Sequence, residues 1–544
     1  MVRTRPVAIP LLVALAALVL LAAALRPART TDRFDPELVV ERVDAPRGPE
    51  FHGPPGTVLR YTLDGRVPDS GSPVWSGAAA IDIDKARRTA ERLLRTPTSP
   101  QWRAPLLTTF RGRTVVRIRA FAPDGRTGPV ENWIVDQWPN ALPSLSVLLD
   151  PASMFDPDTG LYVPGMAVFR TGETFVRRYR DDQRWWKYPG NYHHRGKRWE
   201  RQATVVWEDD EEVWEGTVGL RINGNNTRGF PQHALRVLLG DGPHDDPGIL
   251  GAGHRALVLR AGGNDQDRTL LRDAIAHRLA SGLGFHTSAS RSCVVHLNGA
   301  YWGLHQARER MDEHEVARRC GVPRKDIALL ADRGILEHGR EQELHAFMRA
   351  LAAIDEAVMQ GSDPVPALEA LIDVEGFLTY VAVQVIIGNS DWPDQNVKYW
   401  RYVGDGKGEE AWHDGRWRFM MGDSDLSLGY PMPASYDAIA HIATHTSPVA
   451  RLFKACMAVP AYRSRFEARV GTLLAGPFAP DRAIAVVDSM AGEIAGEVPH
   501  HVARWRRPLS VDRWQEQVEA LRAFLRVRPR HVADHLNAST VATR

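Results

Sequence analysis

The chain has 544 residues, more than one ordinary core accommodates, so two or more domains are expected. Hydrophobic residues make up 44% and charged residues 25%, the balance of a folded globular protein rather than a disordered or fibrous chain. The formal charge of +2, with no long block of either sign, excludes the basic footprint that nucleic acid requires.

Arg3 and Arg5 precede an apolar run from Val7 to Leu25, closed by Arg26 and Arg29. At the helical rise of about 1.5 Å per residue this run spans roughly 28 Å, enough for a bilayer core. Residues 1–30 are read as a signal anchor or a cleaved signal peptide. Ala22-Ala23-Ala24 is a poor cleavage site, which favours the anchor. Arginines ahead of the run place the body on the extracytoplasmic side in either case, membrane-anchored or secreted.

Residues 38–140 carry β signals. Val58-Leu59-Arg60-Tyr61-Thr62-Leu63 alternates and runs into the turn Asp64-Gly65. Val115 to Phe121 alternates again before Pro123-Asp124-Gly125. A small antiparallel β-sandwich is predicted, interrupted by a helical segment near Ala86–Arg95. The strings YTLDGRVPDSGSPVW and VVRIRAFAPDG resemble the chitobiase-type accessory β-domain. That resemblance implies a spacer or packing role, with glycan contact as the alternative.

From Leu142 the character becomes mixed α and β and stays so to about residue 536. Thr217–Leu239 is predicted as a hairpin around a Gly/Asn-rich turn, Leu257–Leu259 as a strand, and Arg268–Leu283 as a helix. A second hairpin is predicted around Asn298-Gly299. Helices follow from Glu341 to Val385, then a loop and a strand at Trp417–Met421. Cys293, Cys320 and Cys456 show no metal-ligand spacing and no disulfide framework, and are read as buried thiols. No H-E-x-x-H or G-x-S-x-G is present, so metalloprotease and α/β-hydrolase chemistry are unsupported.

Three segments carry chemistry. Asp391 with Asn396 reproduces the D-x-x-x-x-N spacing of a kinase catalytic loop, where a carboxylate lies near the substrate hydroxyl and an amide oxygen helps hold metal. The predicted strand ending at Met421 runs into Gly422-Asp423-Ser424-Asp425. Two carboxylates two residues apart share one side of an extended backbone and suit a hard divalent cation. The hairpin tip Gly219 to Pro231 offers backbone N–H groups to phosphate, with Arg221 and Arg228 as charged donors and Asn225 at the turn.

The order GLRINGNNTRGFPQHALRVLL, LVLRAGGNDQDRTLLRDAIAHRLASGLG, VVHLNGAYWGLHQARERMD, GNSDWPDQN and WRFMMGDSDLSLG resembles the CotH kinase family of spore coat protein H-like proteins. The resemblance covers residues 142–536 and implies an α+β, atypical protein-kinase-like fold that uses ATP and Mg2+ (or Mn2+). On it Asp391 takes the catalytic role and Asn396 a metal contact. Asp423 becomes the metal-binding acid and Asp425 its support or second ligand. Glu309 pairs with a phosphate-side cation or a metal. His233 falls where the family usually has lysine; a neutral imidazole clamps phosphate poorly, so Arg228 or Arg236 would substitute. Two readings follow: a kinase that phosphorylates Ser or Thr of a cell-envelope protein, or a catalytically weak or inactive CotH-fold binding or structural protein.

Overall fold

The computed structural model describes residues 33–44, 49–78, 81–106, 112–136, 142–166, 184–240, 242, 246–406 and 410–542. The apolar run 7–25 lies outside them. Among the described residues no single helix is long and apolar enough to cross a membrane. The chain forms two compact units. One takes the described residues up to 83 with 115–134, and the other takes 84–114 with everything from 135 onward.

The first unit holds β1 (Arg33–Phe34), β2 (Glu41–Val43), β3 (Glu50–His52), β4 (Val58–Thr62), β5 (Arg113–Phe121) and β6 (Arg126–Asp136). Its main sheet has the order β1-β6-β5-β4, and β2 pairs with β3 separately. β4 and β5 are antiparallel, but β1 runs parallel to β6, so the expected antiparallel sandwich is a mixed sheet with a two-stranded ribbon. Alternation along β5 buries Val116, Ile118 and Ala120 against Leu38, Val40 and Phe51.

The helical segment expected near Ala86–Arg95 is α1 (Ile83–Leu94). Its apolar stripe of Ala90, Leu93 and Leu94 belongs to the core of the second unit, not the first. That core fills a closed barrel of β7 (Ser144–Leu148), β8 (Arg201–Glu208), β9 (Val213–Ile222), β10 (Leu235–Leu238), β11 (Ala256–Arg260), β12 (Ser290–Leu297) and β13 (Ala300–Glu309), in the order β10-β11-β13-β12-β7-β8-β9. Both predicted hairpins form. β9 pairs with β10, and β12 with β13 around Asn298-Gly299, whose φ angles of 48° and 81° suit a two-residue turn. Strand alternation sends Cys293, Val295 and Trp302 into the barrel core and Val294, Tyr301 and Leu304 into a second, larger core outside it.

The larger core is built on α7 (Val374–Ile387), whose apolar sequence is buried over nearly its whole circumference. It follows α2 (Pro151–Phe155), α3 (Arg272–Leu279), α4 (Glu313–Cys320), α5 (Glu341–Met359) and α6 (Val365–Leu371), and the chain ends in α8 (Ala438–Thr444), α9 (Pro448–Ala458), α10 (Pro460–Ala475), α11 (Pro480–Ala495), α12 (Val498–Trp505) and α13 (Val511–Ala542). A four-stranded sheet adjoins α7, with β14 (Ile327–Ala331), β15 (Ile335–His338), β16 (Val397–Tyr402) and β17 (Arg418–Met421) in the order β15-β14-β16-β17. The helix expected over Arg268–Leu283 begins only at Arg272. Asp265 accepts from the Arg272 amide at 3.1 Å and from its guanidinium at 3.0 Å, which holds the preceding turn out of the helix.

Candidate active site

The loop between α7 and β16 places Asp391 and Asn396. Gly388 ends α7 at a φ of 63°, a conformation that favours glycine. Asn389 then accepts from the Asp391 amide at 3.1 Å and donates to Gln384 at 3.0 Å. Buried Trp392 donates to the Tyr380 hydroxyl at 2.8 Å and anchors the loop on α7. Asn396 turns back at a φ of 60° and gives its Nδ2 to Asp391 Oδ2 at 2.7 Å. That leaves Asn396 Oδ1 as the end aimed away from the carboxylate. Burial, with the charges of Asp423 and Asp332, raises the Asp391 carboxyl above its ordinary range.

The Gly422-Asp423-Ser424-Asp425 turn leaves β17 against this loop. Gly422 N donates to Asn396 O at 3.0 Å and Ser390 N to Leu426 O at 3.0 Å, so the two motifs are tied by backbone. Asp423 is partly exposed, whereas Asp425 is buried. Arg260, at the end of β11, donates one Nη2 to Asp423 Oδ1 at 2.6 Å and to Asp425 Oδ2 at 2.8 Å. Asn264 completes the cage, with its amide 2.7 Å from Asp425 Oδ2 and its Nδ2 3.0 Å from Oδ1. A Cβ at Gly263 would stand 2.1 Å from that Oδ2, so the glycine lets the backbone approach. Burial and Asp423 push the Asp425 carboxyl up, opposed by Arg260 and Asn264. Behind the turn, Asp273 accepts from Ser424 N at 2.9 Å and pairs with Arg308, while His277 bonds the Gly422 carbonyl at 2.9 Å.

Asp332, in the β14–β15 turn, donates its amide to Val397 O at 2.9 Å, and burial raises its carboxyl. Glu337 on β15 pairs with Lys398 on β16. Glu337 also acts electrostatically on Arg236 and Arg310, which lie in a cluster of guanidiniums with Arg221 and Arg195. Burial and this mutual repulsion lower Arg236 to about 10. Arg310 is paired with Asp312 and Arg221 with Glu200, so Glu337 links this guanidinium cluster to the strand that follows Asn396.

A family model described as CotH kinase protein matches residues 220–532, more than half of the chain and a span that contains both acidic motifs. The chain belongs to the CotH kinase family. No curated protein matches it.

Several residues expected to meet nucleotide in this CotH chain do otherwise. His233 is fully buried, between Tyr162 and Tyr192 at ring distances of 4.3 and 4.8 Å, and its Nε2 bonds Thr98 O at 3.1 Å. A lysine position open to phosphate is excluded there by packing alone. Arg228 is likewise buried, and its donors go to the carbonyls of Gly224, Tyr192, His194 and Ile222 at 2.6–3.0 Å. It braces the hairpin tip rather than a ligand. Arg221 pairs with Glu200, and Asn225 accepts from Arg195 at 3.1 Å. Arg236 alone of this set keeps an open role: its Nη2 goes to Asn223 at 3.1 Å, and its buried Nε has no hydrogen-bond partner among the described residues. Glu309 is held by Arg318, Arg319 and the Ala289 amide, not by a phosphate-side cation.

Of the expected metal ligands, Asp425 is the less available: its Oδ2 accepts from Arg260 and the Asn264 amide, and its Oδ1 from Asn264 Nδ2. Asp423 Oδ2 and Asn396 Oδ1 do fit a hard cation, as oxygen donors on two loops bonded to one another. Arg260, Asn264, Asp332, Glu337, Lys398 and Arg310 were not singled out by sequence reasoning. The one signal for them was the Gly262-Gly263-Asn264 turn after a strand, a pattern that marks close backbone approach.

Proposed function

We propose that the chain is an ATP-dependent phosphotransferase that moves the γ-phosphoryl to a Ser or Thr hydroxyl of a protein. The observation that carries this reading is the Asp391–Asn396 pair, bonded at 2.7 Å and tied by backbone to the Asp423 turn. Asp391 accepts the proton of the attacking hydroxyl, and its raised carboxyl makes it a stronger base than an exposed aspartate. Asn396 Nδ2 orients that carboxylate. Asn396 Oδ1 and Asp423 Oδ2 would hold Mg2+ or Mn2+, which would neutralise phosphate charge. Arg236, Arg310 and Lys398 supply fixed positive charge where the phosphate tail enters. The substrate would be a cell-envelope protein if residues 1–30 export the body, with the first unit as spacer or glycan contact.

Arg260 favours a second reading. Its guanidinium already spans Asp423 and Asp425, so the acidic turn is neutralised from within, as suits a binding protein without turnover. Titration of ATP into the full-length chain with and without Mg2+, followed by phosphate transfer to an envelope fraction, separates the two. Metal-dependent binding that is lost in Asp423→Asn, with transfer lost in Asp391→Asn, supports the kinase. Metal-independent binding or none supports the second reading.

A further inference from the structure

A second cluster of charged groups lies where the loop before β11, the end of β13 and α4 meet. His254, Glu309 and Glu315 converge there, with side chains only 1%, 4% and 4% exposed. His254 Nδ1 sits 3.0 Å from Asp246 Oδ2, which also accepts from the His254 amide at 2.6 Å. A carboxylate on Nδ1 fixes the tautomer of the neutral ring, whose lone pair is then on Nε2. Among the described residues, that Nε2 is buried without a hydrogen-bond partner and points at Glu309 Oε1, 3.6 Å away, and Glu315 Oε2, 3.9 Å away.

Those separations are too long for hydrogen bonds. They approach the roughly 3.4 Å between two donors on a tetrahedral cation with metal–ligand distances of about 2.0–2.1 Å. Arg318 and Arg319 fix the carboxylates without closing the centre. Arg318 donates to Glu309 Oε1 at 2.9 Å, to Glu315 Oε1 at 2.6 Å and to Glu315 Oε2 at 3.0 Å, and Arg319 bonds Glu309 Oε2 and Glu315 Oε1. Glu309 Oε1 and Glu315 Oε2 thus each carry one guanidinium bond and keep a lone pair toward Nε2. Among the described residues three carboxylates, Asp246, Glu309 and Glu315, face two guanidiniums, so one negative charge is left for a cation at Nε2, a metal or a proton, to balance.

We propose that His254 Nε2, Glu309 Oε1 and Glu315 Oε2 bind a divalent transition metal of the zinc type, with Asp246 as the outer carboxylate that orients the imidazole. One imidazole with two carboxylates suits Zn2+ better than Mg2+, which prefers oxygen and water alone. A carboxylate–histidine pair behind the metal is a recurrent arrangement in such centres. The site shares no residue with the Asp391–Asp423 centre. It would stitch the 246–254 loop, β13 and α4 together, as a structural metal does. A proton on Nε2 is the rival occupant.

Chelator-treated full-length protein titrated with Zn2+, Co2+ and Mg2+ tests the site. The expected result is one tight equivalent of Zn2+, displacing protons, and a Co2+ complex with the visible bands of four- or five-coordinate geometry. His254→Gln should weaken Zn2+ binding at least a hundredfold and Asp246→Asn about ten- to a hundredfold, while Asp423→Asn leaves it unchanged. Zinc affinity retained in His254→Gln, or lost in Asp423→Asn instead, overturns the proposal. If His254→Gln does not fold, the wild-type Co2+ spectrum decides, and its absence at stoichiometric cobalt overturns the proposal in favour of the protonated ring.

Discussion

The Gly422 amide donates to the Asn396 carbonyl at 3.0 Å, and a Cβ on Gly422 would lie 2.2 Å from that same oxygen. One missing side chain therefore sets how closely the acidic turn approaches the catalytic loop. Gly422→Ala must part the two loops, an overpacking cost of about 1–3 kcal/mol. Urea denaturation should register that loss, and metal-dependent ATP binding should weaken with it. Unchanged stability would mean that the loops are not in contact.

Asp391→Asn should lower phosphate transfer by about two to four orders of magnitude, the range expected for loss of a general base. Its effect on stability has the opposite sign. Burial and the neighbouring carboxylates raise Asp391 in the folded chain, so its ionised form is a cost that persists at every pH above the folded value. At pH 7 the variant should melt no lower than the wild type. A clear fall in melting temperature would contradict the like-charge environment.

His233→Lys and Arg228→Ala should both damage the fold without touching nucleotide affinity. The lysine would bury an unpaired ammonium among Tyr162, Tyr192 and Thr98 O, costing about 3 kcal/mol or more. The alanine strands carbonyls of Ile222 and Tyr192, for at least about 2 kcal/mol. Arg236→Ala should do the reverse, weakening ATP binding severalfold with little loss of stability. Tighter ATP binding by His233→Lys would refute the buried placement.

Arg260→Met removes the cation between Asp423 and Asp425 and leaves the buried Asp425 with only Asn264. Loss of one partner from a buried pair costs about 3–5 kcal/mol. Adding Mg2+ should recover part of that stability, read as a rise in melting temperature larger than in the wild type. A variant as stable as the wild type would show that Asp425 is uncharged there.

Six buried histidines make the fold acid-sensitive. Burial lowers His277, His286 and His305 to about 4, His233 and His501 to about 3, and His296 well below its usual value. Their folded values lie below the unfolded one, so the unfolded chain binds more protons. Their contribution is complete above about pH 6.5 and is lost progressively from there down to about pH 4 to 3. Each proton taken up adds about 1.4 kcal/mol per pH unit to the slope. Melting temperature should fall steeply between pH 7 and pH 5, and a flat profile would show that these rings reach solvent.

Local pattern determined a good part of this protein. Alternation placed β9, β11, β12 and β17, Asn298-Gly299 closed its hairpin, and an unbroken apolar run made α7 the centre of the larger core. Motif order alone indicated the CotH family. Each of these properties resides in neighbouring residues, through strand and helix periods and turn chemistry. Which polar side chains meet was decided only by the tertiary structure. His233 and Arg228 stand beside the Gly/Asn-rich turn in sequence, yet the segments that carry Thr98, Tyr162 and Tyr192 cover them, and aromatic rings and carbonyls consume both. Arg260 and Asp425 are 165 positions apart and meet because β11 and the Asp423 turn end at one place. His254, Glu309 and Glu315 converge from a loop, a strand end and a helix, and no spacing along the chain encodes that meeting.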